Sequence, residues 1–149
     1  MRKFALAALL ASAAALLAGI TPVHADDAIL TTTLSGAAEV PGPGDPDASG
    51  SAVVFIDDDS NSLCLFLRWR NVDGTPSGLH IHRAPVGVAG PVLVGFATPA
   101  PGRTSTFQCV HVEDEEILDA IAANPQQHYL NLHTPVFPPG AIRGQLQAA

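Results

Sequence analysis

The sequence predicts an all-β domain: an antiparallel Greek-key β-sandwich with one short helix. Three observations carry this reading. Short runs of alternating apolar and polar residues recur along the chain, as half-buried strands require. Turns rich in proline and glycine punctuate those runs and leave no room for long helices. Only one segment spaces its apolar residues as a helix does.

The elements follow in order. Residues 28–34 alternate Ile29, Thr31 and Thr33 with Leu30, Thr32 and Leu34, which makes a first strand. The loop 42–50 is too rich in Pro, Gly and Asp for a regular element. Residues 51–56 form a second strand, and 57–61 a polar turn. The three acids of that turn lack the D-x-D-x-D-G spacing of a calcium loop and read as solvated. Residues 62–71 form a third strand, with Leu63, Leu65, Leu67 and Trp69 on one face as core. The fourth carries Gly78-Leu79-His80-Ile81-His82. Its following Gly-rich loop, 85–90, lacks the Lys-Ser/Thr of a phosphate loop. Residues 91–96 and 104–112 are the fifth and sixth strands, the latter with Cys109 and His111. The helix spans about 114–123: its first turn is acidic, Ile117, Leu118 and Ile121 make an apolar stripe, and Asn124-Pro125 stops it. Residues 127–133 and 141–147 complete the strands across a rigid Pro/Gly turn.

Met1-Arg2-Lys3, an apolar run over 4–20 and Val23-His24-Ala25 make a secretory signal peptide over residues 1–25, cleaved after Ala25. The run is short for a span of about 20 residues, and no basic stop-transfer flank follows. The mature chain, 26–149, is expected to be one domain, secreted or periplasmic, with no membrane insertion. It has no lysine, and five arginines stand against fourteen acids, a net −9. That balance opposes nucleic-acid binding, which needs a basic footprint. Cys64 and Cys109 are the sole cysteines, and an even pair in an exported chain reads as a disulfide.

The chemistry concentrates on histidine. Alternation along a strand puts His80 and His82 on one face and Leu79 and Ile81 on the other. Tyr129, Asn131 and His133 share a face in the same way, opposite Leu130 and Leu132. Two such strands side by side can gather His80, His82 and His133 into one patch. Neutral imidazoles suit copper or zinc, with Glu39, His111 or His128 as further ligands. The alternative is a polar network in which the three histidines join Glu39, Asn131 and Arg143 to pin loops, with Arg143 and Glu39 as a bidentate pair. Both readings stay open on the sequence alone. A partner-binding module needs an exposed apolar or aromatic patch, and the mature chain has few aromatics: Trp69, Tyr129 and five Phe. Ser77 and Ser105 lack a nucleophile-elbow context, so hydrolysis finds no support.

Four motifs in order resemble the CHRD (chordin-type) domain family across nearly all of the mature chain. They are Leu34-Ser35-Gly36-Ala37-Ala38-Glu39-Val40-Pro41, Leu79-His80-Ile81-His82 with Gly90-Pro91-Val92, Tyr129-Leu130-Asn131-Leu132-His133-Thr134, and Gly140-Ala141-Ile142-Arg143-Gly144-Gln145-Leu146. Arg83 and Ala141 depart from residues usual in that family. The G-x-H-x-H strand is also similar to the copper-ligand strand of copper/zinc superoxide dismutases, without counterparts to their zinc-loop ligands. The resemblances imply an immunoglobulin-like or superoxide dismutase-like sandwich of structural or binding type, without an established enzymatic activity. They leave room for an extracellular or periplasmic protein partner and, if copper is bound, redox activity.

Overall fold

A computed structural model describes residues 27–149; the expected signal peptide and its cleavage after Ala25 lie outside the described residues. The strands are β1 (Ala28–Ser35), β2 (Ser49–Asp57), β3 (Ser62–Arg70), β4 (Gly78–Arg83), β5 (Val92–Gly95), β6 (Ser105–His111), β7 (His128–His133), β8 (Ile142–Gln145) and β9 (Gln147–Ala148). One α-helix, α1 (Glu115–Ala123), and a short 3-10 turn over Pro125–Gln127 lie between β6 and β7, and a second 3-10 turn, Gly36–Ala38, follows β1. All pairings are antiparallel, in the order β5-β4-β7-β8-β1-β2-β3-β6, with β9 on β1.

The sheet curls so that its two halves face each other in the manner of a sandwich. Period-2 alternation dictates this. Leu30, Leu34, Val54, Ile56, Leu63, Leu65, Leu67 and Trp69 from one half meet Leu79, Ile81, Leu130, Leu132 and Ile142 from the other in one buried cluster. The halves join where β8 meets β1, at the pair Ser35 and Arg143. Gly144 makes that approach possible, because a Cβ there would collide with Thr32 Oγ1 and the Thr33 carbonyl.

Local chemistry explains the ends of the elements. Asp114 is the cap of α1 rather than its first residue, and its side chain accepts a hydrogen bond from Glu116 N at 3.2 Å. Leu118 and Ile121 drive the helix into the core. The final strand, expected as one piece over 141–147, is two. β8 pairs with β7 and β9 with β1, and the buried Leu146 between them donates to the His128 carbonyl. β8 also meets β1 at Arg143, and β9 takes up β1 in the same register after a break at Leu146. Cys64 and Cys109 sit opposite each other on β3 and β6 and form the expected disulfide. No helix among the described residues is long and apolar enough to cross a membrane.

Candidate metal centre

β4 and β7 are neighbours, with His80 opposite Asn131, His82 opposite Tyr129 and Gly78 opposite His133. On the far side of β7, Asn131 faces Arg143 of β8. Because Leu79, Ile81, Leu130, Leu132 and Ile142 turn into the core, His80, His82, Tyr129, Asn131, His133 and Arg143 all occupy the opposite surface. Loops cover that surface, and Tyr129, Asn131 and Arg143 are buried beneath them. This is a polar layer outside the apolar core.

The three imidazoles are gathered as the alternation required. Ring centroids lie 5.1 Å apart for His80 and His133, 5.6 Å for His80 and His82, and 6.3 Å for His82 and His133. One nitrogen from each ring lies within 4.8 Å of the other two. The hydrogen bonds show which nitrogens are free. His82 Nδ1 lies 2.9 Å from the Gly90 carbonyl, and His133 Nδ1 lies 3.0 Å from the Pro138 carbonyl. A carbonyl only accepts, so each Nδ1 carries the proton and each Nε2 is left with a lone pair. Those two Nε2 atoms, together with His80 Nδ1, are buried without a hydrogen-bond partner. Carbonyl support of the rear nitrogen is how proteins orient metal-binding histidines.

Burial lowers the His80 pKa, and the neighbouring charges of His133 and His82 lower it further. Burial also lowers that of His82, partly opposed by its bond to the Gly90 carbonyl. Both rings are therefore held in the neutral form that ligates metal. A tetrahedral ion with bonds of about 2.0–2.1 Å needs nitrogens about 3.4 Å apart, against a separation here of up to 4.8 Å. The residues present fit copper or zinc.

The layer beneath differs from expectation. Arg143 and Glu39 do not form a bidentate pair. The guanidinium lies 3.4 Å from the centroid of the Tyr129 ring and donates through Nη2 to the Pro85 carbonyl at 3.0 Å. Ring and carbonyl capture the fork, leaving Arg143 Nη1 and Glu39 Oε1 buried without hydrogen bonds. Glu39 instead packs its carboxyl against Gly140, where a side chain would collide with it. Burial raises the Glu39 pKa to about 7 despite the charge of Arg143 and the Asn131 amide nearby. Burial lowers that of Arg143, opposed by Tyr129 and Glu39.

Two further candidates are elsewhere. His111 lies at the end of β6, in the other half of the sheet, near the Ser60 carbonyl. His128 has the parity of Leu130, not of His133; it is buried, and its Nδ1 lies 3.0 Å from the Asn124 carbonyl. Among the described residues, the group close enough to share an ion is His80, His82 and His133, without Glu39, His111 or His128.

Sequence reasoning gave no role to Tyr129, Gly78, Gly90 or Pro138. Tyr129 stacks on His82 with centroids 4.7 Å apart and planes 7° from parallel, and its hydroxyl accepts from Gly90 N at 3.2 Å. It thus ties His82, Arg143 and the 85–90 loop together. Its parity with Asn131 and His133 was the available signal. The carbonyls of Gly90 and Pro138 had none, since loop paths leave no periodic trace.

Neither a curated protein nor a solved structure matches the chain. The CHRD domain model, in contrast, matches residues 30–146, from the third residue of β1 to the end of the strand that carries Arg143 and beyond it to Leu146. That span contains all three histidines and every loop that covers them, and on it the chain belongs to the CHRD domain family.

Proposed function

We propose that this is an exported, single-domain metal-binding protein that holds one copper or zinc ion on His80, His82 and His133. The observation that carries the proposal is that His80, His82 and His133 each bring one ring nitrogen within 4.8 Å of the other two, while His80 Nδ1, His82 Nε2 and His133 Nε2 are buried without a hydrogen-bond partner. Leaving a buried polar ring nitrogen unsatisfied costs about 1–3 kcal/mol, which an ion would offset. Two rear nitrogens held by carbonyls support the same reading. Three neutral ligands leave a position open, and copper there would supply one-electron chemistry when bound. The protein's own residues hold His80 and His82 toward the neutral form, fix His82 and His133 from behind and stack Tyr129 on His82.

Export rests on the leader-like residues 1–25 and on the Cys64–Cys109 disulfide, which persists in oxidising compartments. The scaffold reading keeps one observation in its favour: His82, His133 and Arg143 each bond a loop carbonyl, and so pin the loops. A competition titration with a chromophoric chelator separates the two. Wild type should bind copper or zinc with one-to-one stoichiometry, and the His80→Ala/His82→Ala variant should lose tight binding. Equal affinity in both proteins would leave the histidines as scaffold.

A further inference from the structure

Among the described residues nothing covers the outer surface of the other half-sheet. Register places its outward side chains in rows across β1, β2, β3 and β6. Two adjacent rows are apolar: Ile29, Phe55 and the Cys64–Cys109 disulfide, then Val53, Phe66 and Phe107 beside Thr31. Ile29 is 54%, Phe55 42%, Phe66 39% and Phe107 62% exposed. Three of the five phenylalanines outside residues 1–25 thus stand in solvent on one face. Four large side chains about half exposed present roughly 400 Å² of apolar surface, as much as the largest patch a typical monomer shows.

Charge frames this strip. Beyond the Phe55 row lies exposed Asp57 of β2, and beyond the Phe66 row lies exposed Arg68 of β3, followed by Arg70. The face is acidic at one end, apolar in the middle and basic at the other. A two-fold axis lying in the face, across the strands and between the two apolar rows, exchanges those ends. It stacks β2 on β2 and β3 on β3, apolar rows on apolar rows, and brings Asp57 of one copy over Ser51 of the other, one strand away from Arg68, the cross-strand neighbour of Ser51. Four strands about 4.8 Å apart and up to nine residues at about 3.3 Å give a face of roughly 19 by 30 Å, about 570 Å² per copy, at the low end of specific interfaces.

We infer that this face is the interface of a two-fold homodimer, in which the sheets pack face to face and Asp57 and Arg68 pair across the axis. The occupant is a second copy because the face is complementary to itself: one surface supplies both charges and both halves of the apolar contact. The His80 surface lies on the other half-sheet and stays outside the contact, so this inference does not rest on metal binding.

Sedimentation equilibrium of the full exported protein tests it. Wild type should show twice the chain mass, with dissociation strengthened by salt. Phe55→Glu, on an interior strand, should weaken association by roughly a hundredfold, whereas pairing through the β6 edge would be untouched by it. Arg68→Glu should dissociate the dimer, and Arg68→Glu combined with Asp57→Arg should restore it. Circular dichroism shows that each variant keeps the fold; Arg68→Gln, which should weaken association more mildly, serves should the charge reversal unfold the chain. A monomer at every concentration, a dimer indifferent to Phe55→Glu, or a folded double variant that stays monomeric would each overturn the inference.

Discussion

Gly78→Ala should damage the histidine site without removing a ligand. Gly78 precedes His80 by two residues on β4, so both point to the same surface, and it pairs with His133 across the ladder. A Cβ built on Gly78 would lie 2.9 Å from His80 Cε1 and 3.3 Å from His133 Cδ2. Contacts that short oblige both rings to give way by a few tenths of an ångström, which displaces ligand nitrogens. The core is untouched, because Leu79 and Leu132 face away. Displacing ligands on this scale should cost about ten- to a hundredfold in metal affinity, or roughly 1.4–2.8 kcal/mol. Gly95 is the control. It lies opposite His80 on β5, but its Cβ would sit 3.9 Å from His80 Cδ2, an ordinary contact. Chelator competition with zinc on Gly78→Ala and Gly95→Ala, alongside thermal melts, reads both. Undiminished affinity in Gly78→Ala, or an equal loss in Gly95→Ala, would refute the assignment of the site to this surface.

Other perturbations have defined outcomes. Cys64→Ser/Cys109→Ser opens a loop with a sequence separation of 45 and should lower the free energy of unfolding by about 4 kcal/mol in urea titrations. Because the bridge lies on the outer face, the variant should keep its β-sheet circular dichroism and its metal affinity. Glu39 has a pKa raised from 4.5 to about 7, so the folded state holds a proton that the unfolded chain has released. Its contribution is fully present below about 4.5 and is lost as pH rises through 7, by up to about 3 kcal/mol. Glu39→Gln should remove that loss, so its stability relative to wild type should improve from pH 5 to pH 8 in denaturant titrations. A difference that stays constant with pH would contradict the burial of an uncompensated carboxyl.

Much of this was legible in the sequence, for a simple reason. A strand with a buried face writes its orientation into a period of two, and Leu79, Ile81, Leu130 and Leu132 fixed where His80, His82 and His133 would point. The same rule applied to His128 excludes it, since it has the parity of Leu130. His111 could not be placed without knowing that β6 pairs with β3, at the opposite end of the strand order from β4. The Glu39–Arg143 expectation failed because charge complementarity gives no account of competitors. The Tyr129 ring and the Pro85 carbonyl hold the guanidinium first. The exposed phenylalanines were also hidden in plain view: Phe55, Phe66 and Phe107 alternate with core residues and so belong to the outer face. Their meeting in adjacent rows is a matter of register across three strands, which no single strand records.

Elemental analysis of untagged protein isolated from its native compartment tests the central claim most directly. The account predicts close to one copper or zinc per chain, retained through gel filtration and absent when His80 and His82 are both replaced by alanine. Folded protein that carries neither metal and acquires none on incubation with either would contradict it.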